Sequence, residues 1–192
     1  MNLFRTLSKA ALLVIGGAGA SSCLKAPDYP VEPTITFNTL TSTYVAPSTT
    51  GALASQVLEF ATDFQDGDGD LGLDVPDTDV APYKDPTGGH NNLSKSNNYF
   101  IQPFKKVGNT FVPFYTPVGG FAGEYDGRYP RLETTTDSKP APLKGTLRYK
   151  LVLLLNRTSY LPGDTFRFEI SLMDRAFHQS NTVTSTEVKL GP

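Results

Sequence analysis

Residues Gly145 to Leu155 alternate in a way that a helix cannot use. Leu147, Tyr149, Leu151, Leu153 and Leu155 recur at every second position. In an extended strand those side chains share one face, whereas on a helix they scatter around the axis. Arg148 and Lys150 open the opposite face, which turns apolar at Val152 and Leu154. The strand is therefore expected to be central at one end and half exposed at the other. Asp164 to Met173 repeats the pattern, with Phe166, Phe168, Ile170 and Leu172 inward and Arg167, Glu169 and Ser171 outward.

The same period predicts strands over Thr34–Leu40, Gln56–Phe64, Asn98–Lys106, Thr110–Tyr115 and Thr182–Leu190. Leu58, Phe60 and Phe64 mark the inner face of the second of these. Val107-Gly108-Asn109 supplies a hairpin turn, and Pro162-Gly163 a reversal. The sum is an all-β chain of about seven strands, the count of an Ig-like antiparallel β-sandwich, occupying residues 34–192. Two long loops interrupt it, Gln65–Asn97 and Thr116–Lys144, and long loops are where contacts with partners concentrate.

The N-terminus has a different character. Arg5 and Lys9 precede an unbroken small and apolar run, Ala10–Ala20, of eleven residues. That is too short for a mature membrane span and suits the core of a signal peptide. Ala20, Ser21 and Ser22 then lead into Cys23, the one cysteine of the chain, so no internal disulfide forms. This arrangement resembles the lipobox of bacterial lipoproteins, although Ala20 stands where Leu is usual. The resemblance implies a signal peptide over residues 1–22 and a lipidated Cys23 that anchors the chain to a membrane. Residues 23–33 contain three prolines and read as an extended tether. Leu24, in place of an inner-membrane retention Asp, points to the outer membrane, with the leaflet open.

About 170 residues follow the signal, enough for one domain with a core. The net charge of −2 gives no footing for nucleic acid. The charge is unevenly spread, however. Ala26 to Tyr83 holds ten acidic residues and neither Lys nor Arg. Seven of the ten are Asp residues between Asp63 and Asp79. Asp66, Asp68 and Asp70 alternate with glycines, and carboxylates so dense repel one another unless solvated or neutralised. Ca²⁺ takes six to eight oxygens at about 2.3–2.6 Å, and D-x-D-x-D loops supply them. The EF-hand pattern is not met, because position six would be Leu71 and position twelve Asp77. A solvated Asp-Gly turn is the plainer alternative.

In an Ig-like strand order, the aspartate loop joins the second and third strands, and MDRAFHQSN (Met173–Asn181) joins the last two. These connections share one end of the sandwich. Asp174 would then complete or bridge to the oxygen shell of Asp66, Asp68 and Asp70. Arg175 is the competing neutraliser of the same acids.

The pairing of F-x-DGDGDLG with D-R-A-x-x-x-SN resembles a group of largely uncharacterised outer-membrane lipoproteins of Bacteroidetes. RYPRLE…PLKGTLRYKL (Arg128 to Leu151) is similar to that group's lead-in to its central strand. The resemblance implies export, an Ig-like β-sandwich and a calcium site, and it implies no reaction.

Catalytic signatures are sparse. His90 and His178 are the two histidines, and no G-x-S-x-G elbow occurs. Aspartates crowded among glycines are poor general acids, since nothing apolar is expected to raise their pKa. The expectation is a non-enzymatic cell-envelope module acting by protein contact or structurally, its loop end stiffened by Ca²⁺. A second reading is a surface glycan-binding lipoprotein that uses Phe121, Tyr125, Arg128 and Tyr129 of the 116–130 loop, with aromatics either exposed for stacking or folded onto the sandwich.

Overall fold

The computed structural model describes residues 27–132, 141–156 and 158–192. Residues 1–22, expected to be a signal peptide, and Cys23 lie outside the described residues. Eight strands form in chain order: β1 (Thr34–Val45), β2 (Ser55–Asp66), β3 (Tyr99–Val107), β4 (Thr110–Pro113), β5 (Leu143–Leu154), β6 (Thr165–Leu172), β7 (Val183–Thr184) and β8 (Val188–Lys189). One sheet has the order β1-β2-β5, and the other β4-β3-β6-β7 with β8 also on β6. Every strand pair is antiparallel. First, second and fifth strands facing third, fourth, sixth and last is the Ig-like partition expected for the chain.

The core is the facing set of alternate residues. Leu58 and Phe60 of β2 and Leu147 and Leu153 of β5 meet Ile101 of β3 and Phe166, Phe168 and Ile170 of β6, all buried. Phe60 and Phe168 touch edge to face across the sheets, centroids 5.0 Å apart at 77°. That geometry suits the ring quadrupoles.

Two strand expectations need correction. β5 is an edge strand throughout, not central at one end, because β2 occupies the middle of its sheet. Val152 and Leu154 are accordingly 49% and 55% exposed. The run Thr182–Leu190 is split into β7 and β8. Serine hydroxyls replace backbone carbonyls as partners of β6: Phe168 N–H donates to Ser185 Oγ and Leu172 N–H to Ser180 Oγ, each at 2.9 Å. A side chain that accepts a ladder bond pushes its own backbone out of the pleat.

The two long loops are not structureless. They pack against each other at one end of the sandwich. Gly127 exchanges backbone bonds with Tyr99, and the Asn98 side chain clamps the Tyr129 backbone from both sides, accepting at 3.0 Å and donating at 3.3 Å. A single helical turn, α1 (Val75–Thr78), interrupts the first loop. Arg131 of the second loop forks onto Asp77 there, at 2.8 and 2.6 Å. The loops are thus pinned to the strand end on which the aspartates sit.

Candidate metal centre

Strand parity places the first aspartate. Gln56, Leu58, Phe60, Thr62, Phe64 and Asp66 all fall on the buried face of β2. Alternation that buries hydrophobes for ten residues therefore ends by driving a carboxylate inward. Asp66 is 0% exposed. The same strand buries a polar group at its other end, and that one is satisfied. Gln56 donates to Ser42 Oγ at 2.7 Å and accepts from Gly191 N–H at 3.0 Å. Neither oxygen of Asp66 has a hydrogen-bond partner.

Beyond Asp66 the chain turns through a narrow space. Gly69 (φ +72°) and Gly72 (φ +90°) adopt left-handed conformations. A Cβ at either would lie 2.1 Å from a carbonyl oxygen, of Ala141 and Pro130 respectively. Only glycine combines that dihedral with that approach. The curl brings Asp68 and Asp70 back beside Asp66. One carboxylate oxygen from each lies within 4.8 Å of the others. Oδ1 of Asp68 and Oδ1 of Asp70 are buried without partners, as are both oxygens of Asp66. Two oxygens bound to one Ca²⁺ at about 2.3–2.6 Å are at most about 5 Å apart, so the spacing fits a shared ion.

The electrostatics report the strain of this arrangement. Burial is the main cause that pushes Asp66 up to about 7, with Asp68, Asp70 and Asp174 adding like-charge repulsion. The Asp70 amide draws it down a little without reaching hydrogen-bonding geometry. Asp70 is raised to about 6, again first by burial, and then by Asp174 and Asp68. The expectation that nothing apolar would raise these groups is overturned, because Asp66 sits at the rim of the hydrophobic core. Asp66 nevertheless exposes no atom through which a substrate could take its proton.

Of the outer acids of the same run, Asp79 is exposed to solvent and the other three are hydrogen-bonded. Asp63 accepts from Asn38 and Thr146, and Asp77 from Arg131. Asp74 Oδ1 accepts from the Arg131 amide at 3.1 Å. What stays unsatisfied is the inner trio.

Asp174 is brought to this end as expected: Leu71 and Asp174 form a β-bridge. Its carboxylate is already engaged, however. Oδ1 accepts from the His178 amide at 2.7 Å and Oδ2 from His178 Nδ1 at 2.8 Å. It stands beside the trio as a neighbouring negative charge and lies outside the converging set. Arg175 reaches the carbonyls of Gly72 and Leu71 at 3.2 and 3.5 Å, and its charge favours ionised Asp70. The four orphaned carboxylate oxygens receive no donor from it.

The aromatic loop is divided between surface and core. Phe121 is 53% exposed, whereas Tyr129 is 5% exposed. Tyr125 packs against Tyr160, and their hydroxyls are hydrogen-bonded to each other. Arg128 donates to the Asp74 carbonyl at 3.2 Å. The four do not form one exposed stacking face. Tyr129 instead turns its hydroxyl into the interior, where it is unpartnered and feels Asp66 most strongly of the charges around it. A sequence reading that placed it on a binding loop missed this role. A second feature, His90 held by Asp126, also escaped sequence reasoning, since 36 residues separate the pair.

Compared with known families, with curated proteins and with solved structures, the chain matches none. What the site can do is therefore read from its own atoms.

Between pH 5 and 8 the metal-free protein should lose stability as pH rises. Folded Asp66 and Asp70 hold protons up to about 7 and about 6, against 3.8 for an unperturbed Asp. Over that window the native state binds more protons than the unfolded state, so stability falls with increasing pH. His178, raised by its bond to Asp174, acts in the same direction. In chelator, melting at pH 5 is expected at least about 3 °C above melting at pH 8. Asp66→Asn should flatten the dependence, and an unchanged slope in that variant would contradict the assignment.

Proposed function

We propose that this protein is a non-enzymatic lipoprotein of the bacterial cell envelope, tethered to the outer membrane through Cys23, whose Ig-like domain acts by contact with another protein and has its loop end braced by a divalent cation, Ca²⁺ by preference. One observation carries the cation: four carboxylate oxygens of Asp66, Asp68 and Asp70 are buried together without a donor. A buried unpaired charge costs several kcal/mol, and native structures resolve it by pairing, protonation or metal. The all-oxygen character of the trio favours a hard cation over zinc or copper. The Tyr129 hydroxyl, also buried without a partner, lies in the electrostatic field of the same acids.

Bracing follows from connectivity. The trio lies on the β2 end of one sheet, and the surrounding backbone comes from residues 30, 129–132 and 141. A cation holding the trio therefore fixes the position of both long loops. Partner contact by those loops is consistent with the lipid anchor and tether read from the N-terminus. Catalysis is not favoured, because the most perturbed carboxylate, Asp66, is sealed from solvent. The 116–130 aromatic loop carries no glycan reading here, since Tyr129 is in the core.

A melting scan tests the cation directly. Calcium at a hundredfold excess over its Kd should stabilise by about 2.7 kcal/mol, or roughly 5–10 °C for a domain of this size. The shift should vanish in Asp68→Asn with Asp70→Asn. No shift in the native protein, or an equal one in the double variant, removes the cation from the account.

The anchor has a separate test. Cells fed radiolabelled palmitate should label the full chain, and Cys23→Ser should abolish the label and release the protein from membranes. Retention of label in that variant would remove lipidation at Cys23.

A further inference from the structure

The outer face of the β3–β6 sheet carries a second built feature. His90 donates from Nδ1 to Asp126 Oδ2 at 2.8 Å, and the Asp126 side chain is 1% exposed. Asp126 is itself fixed, since its Oδ1 accepts from the Ile101 amide at 3.3 Å. The imidazole lies flat on Phe100, centroids 4.0 Å apart at 24°. Asn91 Nδ2 lies 3.1 Å from the same Nδ1, so this side of the ring is held within the loop.

This imidazole forms one wall of a cleft of about 220 Å³. Its polar lining comes from Gln102 of β3, Glu169 and Ser171 of β6, and Asn91, Asp126, Gln179 and Thr182 from the loops. Hydrogen bonds already made set what these groups still offer. Gln102 spends its amide on the Pro103 and Phe114 carbonyls, leaving Oε1. Gln179 donates once, to Ser171 Oγ, leaving Oε1 and a second N–H. Glu169 brings a carboxylate. With the Asn91 amide and the Ser171 and Thr182 hydroxyls, the cleft offers both acceptors and donors, and it suits a ligand whose groups do both. Neither Lys nor Arg lines it, so two carboxylates disfavour an anion.

His90 and Gln179 also border a second, more apolar lobe of about 390 Å³, lined by Met173, Phe177 and Lys95, whose ammonium is paired with Asp85 at 3.2 Å. Phe177 is 38% exposed and sits at φ +68°. A bulky L-residue in the left-handed region is an outlier, and such strain gathers at binding sites. The conformation lays its ring against Tyr83 at 5.6 Å and leaves it beside the groove.

We propose that these two adjoining lobes bind a neutral carbohydrate chain, with a sugar face on Phe177 and ring hydroxyls hydrogen-bonded to His90, Gln102, Gln179 and Glu169. Each lobe is of a size for a few small rings, at or below the lower part of the range for drug-sized pockets of about 300–1,000 Å³. Sugar rings present what matches the groove: hydroxyls that donate to its acceptors and accept from its donors, and an apolar C–H face for the aromatic ring. The site is separate from the aspartate trio and does not depend on a cation there.

The test is calorimetric titration of the full soluble domain, with calcium present throughout. The probes are cellohexaose, xylohexaose, mannohexaose and maltohexaose, with an oligogalacturonate and spermidine as charged comparators. At least one neutral hexasaccharide is expected to bind with Kd below about 1 mM. The oligogalacturonate should bind at least tenfold more weakly. Phe177→Gly keeps the left-handed turn while removing the ring, and Glu169→Gln removes one acceptor charge. Each should weaken binding about tenfold with an unchanged melting temperature, whereas Phe121→Ala on the neighbouring loop should leave it intact. No neutral binding, binding of spermidine alone, or affinity retained in both groove variants would overturn the proposal. If one variant fails to fold, the other decides.

Discussion

A carboxylate on the inward face of a core strand governs the architecture of this end of the sandwich. β2 buries polar groups at both of its ends, and the two are treated differently. Gln56 finds a hydroxyl and an amide, so both halves of its side chain are satisfied. Asp66 finds two more aspartates. Folding cannot have gathered three acids for their mutual attraction, because each raises the cost of ionising the next. Protonation, the neighbouring Arg175 charge or a cation can each relieve that cost. The surrounding backbone encloses the three closely. Glycine turns curl the chain tightly, and three other segments close over it.

The segment after β6 serves several parts of the molecule at once. Asp174 and His178 lock its first turn. Ser180 stands in for a ladder carbonyl on β6. Asn181 then crosses to the opposite sheet, accepting from the Ile35 amide at 2.8 Å and donating to its carbonyl at 2.9 Å. Between these fixed points Met173 and Phe177 border the groove and Arg175 approaches the aspartate loop. The motif is therefore a structural clasp first, and its chemistry is carried by what the clasp holds in place.

Much of this was legible in the chain. Alternation over Gly145–Leu155 and Asp164–Met173 marked two strands and their inner faces, because burial in a sandwich imposes a period of two. Extending the same parity along β2 would also have placed Asp66 inside. The juxtaposition of Asp174 with the aspartate loop followed from strand order. Its pairing with His178 did not, since a turn four residues long has no periodic signature. The division of Thr182–Leu190 was hidden for a related reason: a serine hydroxyl that replaces a carbonyl leaves the hydropathy pattern unchanged. Tyr129 and the His90–Asp126 pair depend on how two long loops dock, and docking is decided by backbone bonds such as Tyr99 to Gly127 that any residue can make.

The central claim is that a cation completes the buried trio, and diffraction from crystals grown in calcium tests it most directly. An anomalous peak is expected about 2.3–2.6 Å from oxygens of Asp66, Asp68 and Asp70 at neutral pH. Carboxylates hydrogen-bonded to one another or to Arg175, with no anomalous density among them, would contradict it.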